Sequence, residues 1–214
     1  MSRIRYEQVL PEEIEKRSFE IITQELQGRK LDEENEAVVK RVIHTTADFE
    51  YVDTLAFSPH AVSLAVETLR KGAVIVTDTK MAFSGVSKPA LNKLCGQIHC
   101  FISDEDVTKA AKEQGTTRAA MSMDKACSLS GNLIFAIGNA PTALIRLYEL
   151  IKENRIKPQL VIGVPVGFVN VVEAKELIMQ AGVPYIVAQG RKGGSNVAAA
   201  IINALLYQAT GRTL

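Results

Sequence analysis

Of the three histidines in the chain, His44, His60 and His99, one stands among residues equipped to move a proton. Histidine is the side chain best suited to exchange a proton near neutral pH. At about 100° of rotation per residue, Arg41, His44 and Asp48 fall on one helix face, nearly opposite Val38, Val42 and Phe49. Two readings are open. The polar stripe is solvated surface, or it lines a cavity in which His44 is the acid-base group, Asp48 orients or charges it, and Arg41 receives an anion. Ser18 interrupts an apolar stripe, one turn from Ile14 and Ile22. Its hydroxyl either bonds back to the carbonyl four residues earlier or points at a ligand. His99 lies in an apolar run and His60 follows Ser58-Pro59, and both read as structural. No two histidines have metal-ligand spacing, so no metal site in the polypeptide is expected.

A second set of candidates lies in polar and glycine-rich turns: Thr77-Asp78-Thr79, Gly138-Asn139-Ala140-Pro141, Gly163-Val164-Pro165-Val166-Gly167-Phe168 and Gly190-Arg191-Lys192-Gly193-Gly194-Ser195. Each ends an apolar run and precedes a helical pattern, so its N–H groups and the positive end of the helix could receive an anionic oxygen. Taken singly, each is an ordinary strand-to-helix turn. Thr117 and Arg118, after Gly115-Thr116, are surface or capping residues by default and a carboxylate clamp if that turn faces a ligand. The loop from Gly190 reads GxxGGS, which is neither the dinucleotide fingerprint nor the Walker pattern.

These residues need a scaffold. Beyond residue 70 the chain alternates short Val- and Ile-rich runs with helical patterns, the mark of βα units and a parallel sheet. Five strands are predicted: Ala73–Thr77, Gln97–Ile102, Leu133–Ile137, Leu160–Gly163 and Tyr185–Ala188. Two helices, about Pro11–Leu26 and Asp32–Ala47, precede the sheet. Ser58-Pro59 and Ser103 are expected to open helices, and Gly72 to stop one. In open α/β sheets ligands bind outside the carboxyl ends of the strands, where the turns above would gather.

Composition narrows the classes. With 214 residues and no linker, repeat or low-complexity tract, the expectation is one domain spanning 1–214. Lys and Arg total 25 against 24 Asp and Glu, with no basic block, which argues against nucleic-acid and membrane partners. Cys95, Cys100 and Cys127 form no CxxC pair, which suits the reducing cytoplasm. No stretch approaches the roughly 20 apolar residues needed to cross a bilayer.

Five segments occur in one order across nearly the whole chain: Glu15-Lys16-Arg17-Ser18-Phe19, Arg41-Val42-Ile43-His44, Ala136 to Leu144 (AIGNAPTAL), Pro165-Val166-Gly167-Phe168-Val169 and Gly190 to Ser195 (GRKGGS). Together they resemble the precorrin-8X methylmutases, with GNAPTAL and PVGFV the most specific. The resemblance implies a three-layer, flavodoxin-like α/β fold with a doubly wound, five-stranded parallel sheet. It also implies a homodimer with sites near the subunit interface. The implied reaction is an isomerisation in cobalamin biosynthesis. A methyl group moves from C-11 to C-12 of ring C in precorrin-8X or its cobalt form, giving hydrogenobyrinate or cobyrinate. The family's proton donor and acceptor falls on His44, and its substrate-contacting serine and arginine on Ser18 and Arg41.

Such a shift needs no redox cofactor and no nucleophile, in keeping with a chain that has neither motif. The acetate and propionate arms of the tetrapyrrole would account for Arg41, Arg118 and Arg191 together with Thr117 and the strand-end turns holding Thr77, Asp78 and Gly167. Some relatives continue after the histidine with Ala-Cys-Gly, where this chain has Thr45-Thr46-Ala47-Asp48, so Asp48 inherits no role. Two other classes remain: a non-catalytic tetrapyrrole carrier using the same pocket, and an enzyme acting on a phosphorylated substrate through the GRKGGS loop.

Overall fold

The computed structural model describes residues 7–212. A 3-10 turn, Pro11–Glu13, leads into α1 (Ile14–Glu25), α2 (Glu36–Thr46), α3 (Tyr51–Thr54), β1 (Leu55–Phe57), α4 (Ala61–Arg70) and β2 (Ala73–Thr77). Then follow α5 (Lys80–Gly85), α6 (Lys88–Lys93), β3 (Gln97–His99), α7 (Glu105–Glu113), α8 (Arg118–Ala126) and β4 (Asn132–Ile137). The chain closes with α9 (Pro141–Lys152), β5 (Leu160–Gly163), α10 (Val171–Met179), β6 (Tyr185–Ala188) and α11 (Ser195–Ala209).

The strands form one six-stranded sheet in the order β1-β6-β5-β4-β2-β3. Five are parallel, and these are the five expected from the sequence. The sixth, β1, pairs antiparallel with β6 at the edge, Leu55 opposite Ala188 and Phe57 opposite Ile186, and corrects the five-stranded expectation. Only three residues long and following a helical turn, β1 lacks the run of alternation by which a strand is read. The strand expected to reach Ile102 stops at His99, because β3 is an edge strand paired only with β2 and the chain bends at Phe101.

Alternate residues of the central strands enter two cores. Ile134 and Ala136 of β4 face one side; Leu133, Phe135 and Ile137 face the other. The second face is covered by α8, α9 and α10, which supply Met123, Leu144, Leu147 and Ile178. The first face is covered by α4 and by α11, whose sequence from Val197 to Leu206 is apolar nearly all round. A helix of that kind must be buried on all sides. The sheet takes one side of α11, and α2 packs across another through Val38 and Val42, both fully buried. On this side α2 and α1 therefore make a further layer outside the expected three.

Helix boundaries follow from local chemistry. Gly72, with φ +79°, closes α4 as expected. Ser58 does not cap that helix: its hydroxyl accepts the Tyr185 N–H at 2.9 Å and ties β1 to β6, while His60, at φ +58°, precedes the first helical turn. Likewise Asp104, not Ser103, is the residue before α7.

Candidate functional site

His44 lies on the last turn of α2 and is exposed. Its ring stacks on Phe19 of α1, centroids 5.1 Å apart and planes 18° from parallel. One turn earlier, Arg41 is only 7% exposed, with its guanidinium over the Phe19 ring at 4.8 Å and the Tyr207 ring at 5.1 Å. A buried guanidinium requires a counter-charge, and Glu15 of α1 provides it at 2.5 Å while also accepting Arg212 at 2.5 Å. Burial works against the Glu15 carboxylate, but the bonds and charges of Arg41 and Arg212 outweigh it and hold its pKa below the usual value. Among the described residues, Nε and Nη2 of Arg41 have no hydrogen-bond partner. That leaves two buried N–H donors on one edge of the fork unpaired, an unusual state for a charged group.

The same surroundings set the charge of His44. Desolvation lowers its pKa, the Arg41 cation lowers it further, and Glu15 opposes both without cancelling them. The lowered pKa favours the neutral imidazole, the form that can accept a proton. Arg41 and His44 thus share α2 as the spacing indicates, but Arg41 lies against aromatic faces rather than on a solvated stripe. Ser18, half-buried, donates to the carbonyl of Ile14 at 2.9 Å, the local alternative weighed from the sequence. The buried face of α1 is formed by Phe19 and Ile22, whereas Ile14 is 54% exposed, so Ser18 does not break the core stripe.

Asp48 corrects the expectation that it charges His44. The helix ends at Thr46 and Ala47, at φ +52°, turns the chain away. The Asp48 carboxylate instead accepts Lys192 Nζ at 2.5 Å, with Glu50 taking the same ammonium at 2.6 Å.

At the carboxyl ends of the strands the four expected turns do gather, stitched to one another. Gly194 N–H donates to Val164 O at 2.8 Å, Gly167 N–H to Arg191 O at 3.1 Å, and the Thr79 and Ser195 hydroxyls bond at 2.8 Å. Gly138 permits the closest approach: a Cβ there would lie 2.6 Å from Ser195 Cα.

Three residues expected to bind substrate are committed elsewhere. Thr77 is fully buried, its hydroxyl bonded to the carbonyls of Thr79 and, at 3.4 Å, His99. Asp78, 1% exposed, accepts N–H groups of Gly138, Asn139 and Ala140 at 2.9, 2.8 and 2.8 Å. The anion at the start of α9 is therefore the protein's own carboxylate, which removes that helix end as a receptor for substrate. Burial pushes the Asp78 carboxyl up, against the three donors that favour its ionised form. Thr117 caps α8 by accepting Ala120 N–H at 3.1 Å and bonds Thr142 of α9 at 2.9 Å, so its hydroxyl too is occupied. Arg118 and Arg191 are exposed, the latter with its guanidinium 5.4 Å from the Phe168 ring centroid.

The chain matches the family model described as precorrin-8X methylmutase over residues 13–208. The chain belongs to that family. It is 47% identical to the cobalt-precorrin-8 methylmutase of Priestia megaterium, over 92% of this chain and 88% of that one. It is 46% identical to the protein of the same name from Salmonella typhimurium, over 92% and 95%. The crystal structure of the precorrin-8X methyl mutase from Thermus thermophilus superposes with a TM-score of 0.86, at 36% identity, over 94% of this chain and all of that one.

Within this methylmutase fold, the segments that carried the resemblance fall in two places. Ser18 and the Arg41–His44 pair sit on the outer helices α1 and α2; the GNAPTAL, PVGFV and GRKGGS segments form the strand-end turns. Lys192 of the last turn joins the two through Asp48 and Glu50.

Several residues escaped the sequence reading. Lys175 of α10, 1% exposed, donates to the carbonyls of Gly190 and Lys192 at 2.7 and 2.8 Å beneath the GRKGGS loop, and burial pushes its pKa down to about 8. A lysine in an amphipathic helix reads as surface, so no signal marked it. Phe168 and Val169 are 81% and 77% exposed at the tip of the PVGFV turn, with Val166 at 50%. An apolar run in a loop was the available clue.

A concavity of about 610 Å³ lies between α1 and α2 and is lined by Lys16, Phe19, Glu20, Thr23 and Lys40 among others. It reaches Phe19 but not His44, and it lacks the strand-end turns, so the chemistry is placed by the side chains and not by this groove. Among the described residues no three His, Cys, Asp or Glu side chains cluster as metal ligands, and no helix is long and apolar enough to cross a membrane.

Proposed function

We propose that this methylmutase moves a methyl group from C-11 to C-12 of ring C of a precorrin-8-type tetrapyrrole, with His44 as the proton donor and acceptor. The observation that carries the reading is the pairing of a stacked histidine of lowered pKa with a buried arginine that keeps two unpartnered N–H groups, in a chain matching the family from residue 13 to 208. The substrate is the cobalt-containing form, as the names of the relatives at 46 and 47% identity suggest. The order of the five parallel strands supports a flavodoxin-like description of the sheet.

The roles divide by chemistry. Arg41 receives a substrate carboxylate through its Nε–Nη2 edge. Arg118 and Arg191, both exposed, meet further acidic arms, and the turn at Gly167, whose N–H donates to the Arg191 carbonyl, borders Arg191. Val166, Phe168 and Val169 form an apolar rim suited to the flat face of a macrocycle. His44 protonates the ring C nitrogen and takes the proton back after migration. In the free protein its lowered pKa favours the neutral form; the negative arms of a bound substrate raise its pKa and load the proton where it is used. Rate comes from that positioned acid, typically 10²–10⁴-fold, and from holding the migrating carbon and its acceptor in register.

The test is anaerobic incubation of the purified protein with cobalt-precorrin-8 and, separately, precorrin-8X, following the absorption spectrum of the corrin product. Conversion by the wild type, with a loss of roughly 10²-fold or more in His44→Ala, is the expected outcome. Binding without conversion of either form would replace the isomerase by a carrier. Faster conversion of precorrin-8X would overturn the choice of the cobalt form.

A further inference from the structure

We propose that Lys192 is a positioning residue that fixes the last turn of α2, and with it His44, to the strand-end turns; this rests on the reading of His44 as the proton donor.

Besides the stack of His44 on Phe19, little holds the outer side of that turn. The inner side of α2 is anchored by Val38, Val42 and Ile43, but His44, Thr45 and Ala47 are exposed, and Ala47 adopts a left-handed conformation that ends the helix. Directly beyond it, Asp48 and Glu50 converge on one ammonium, Lys192 Nζ, at 2.5 and 2.6 Å. Asp48 also accepts the Glu50 N–H at 3.0 Å, which sets the two carboxylates side by side. The ammonium belongs to a rigid support. The Lys192 carbonyl accepts buried Lys175 at 2.8 Å, the Gly190 carbonyl accepts it at 2.7 Å, and Gly194 N–H donates to Val164 O at 2.8 Å. Gly193, at φ +154°, sits where a Cβ would lie 2.1 Å from Val164 O, so the loop cannot shift toward β5. A continuous chain of contacts thus runs from the buried end of α10 to the segment four residues after His44.

Ion pairs this exposed contribute little to global stability, and that separates positioning from mere structure. Displacing a catalytic group by about 1 Å can cost on the order of 10²-fold in rate. Lys192→Met should therefore leave the melting temperature within about 2 °C. It should speed hydrogen exchange of the amides of residues 44–47 and lower kcat by roughly 10- to 100-fold, with KM changed less than about 3-fold. Lys192→Arg, which can still reach both carboxylates, should restore most of kcat. Adding Asp48→Asn and Glu50→Gln to Lys192→Met should cost nothing further. Unchanged exchange and kcat in Lys192→Met would overturn the proposal. A raised KM at unchanged kcat would do so as well, by making Lys192 a direct substrate contact. If the wild type converts neither form of the substrate, the reading of the reaction fails, and hydrogen exchange alone decides whether Lys192 holds the turn.

Discussion

Asp78→Asn tests the reassignment of a strand-end acid from substrate contact to internal helix cap. In the native protein Oδ1 accepts Gly138 N–H, and Oδ2 accepts both Asn139 N–H and Ala140 N–H. An asparagine can keep its carbonyl oxygen where Oδ2 was, but its amide nitrogen then faces the Gly138 N–H, donor against donor. One buried N–H left unpaired costs about 1–3 kcal/mol. Losing the charge at the start of α9 adds roughly 0.3–1 kcal/mol, more in a partly buried setting. Relief of carboxylate desolvation offsets part of this, and a net loss of about 1–3 kcal/mol remains. For a chain of this size each kcal/mol lowers the melting temperature by about 2–4 °C, so a drop of about 2–12 °C is expected. Calorimetry or circular dichroism measures it, with urea unfolding to show that the midpoint moves while the slope does not. KM of the folded variant, assayed well below its transition, should stay near that of the wild type. A variant that melts within about 2 °C of the wild type while its KM rises several-fold would refute the capping argument and return Asp78 to the substrate.

Lys175 should make stability rise with pH in the alkaline range. Its folded pKa is about 8 against about 10.4 in an unfolded chain, so between these values only the unfolded state holds the proton. The unfolding free energy of the wild type, relative to Lys175→Met, should thus climb by up to about 3 kcal/mol from pH 8 to 10.5; a flat difference in chemical denaturation across that window would count against it. For His44 the depressed pKa places the alkaline limb of kcat/KM below the ordinary histidine value of about 6.5, because the free enzyme must carry the acidic proton. Glu15→Gln removes the one opposing influence, so the limb should move to lower pH; a limb above 7, or one that Glu15→Gln leaves in place, would remove these residues from the titration.

Much of this protein was legible without coordinates. The Val- and Ile-rich runs from Ala73 to Ala188 announced five parallel strands, since strands covered on both faces are apolar at every position. Helix periodicity placed Arg41 and His44 on neighbouring turns, and the ordered segments from Glu15 to Ser195 pointed to the family. What the sequence left open were matters of which partner each polar group finds. Asp78, Thr77 and Thr117 look like ligand contacts in a one-dimensional reading, because an acid or hydroxyl after a strand has the right chemistry. Only the meeting of β2 with β3 and β4 and of α8 with α9 shows those groups already used, Thr77 by the Thr79 and His99 carbonyls, Thr117 by a hydroxyl 25 residues away and Asp78 by N–H groups 60 to 62 residues away. Lys175 went unseen for the complementary reason: a lysine reads as solvent-facing, and burial against a loop 15 residues on is a tertiary fact. Lys192 was visible in the GRKGGS loop, but its carboxylate partners 142 and 144 residues earlier were not. Local periodicity and composition determine which elements form, because those depend on neighbours in the chain. Desolvation and pairing, which set the charge of His44 and the place of every anion near it, depend on neighbours in space.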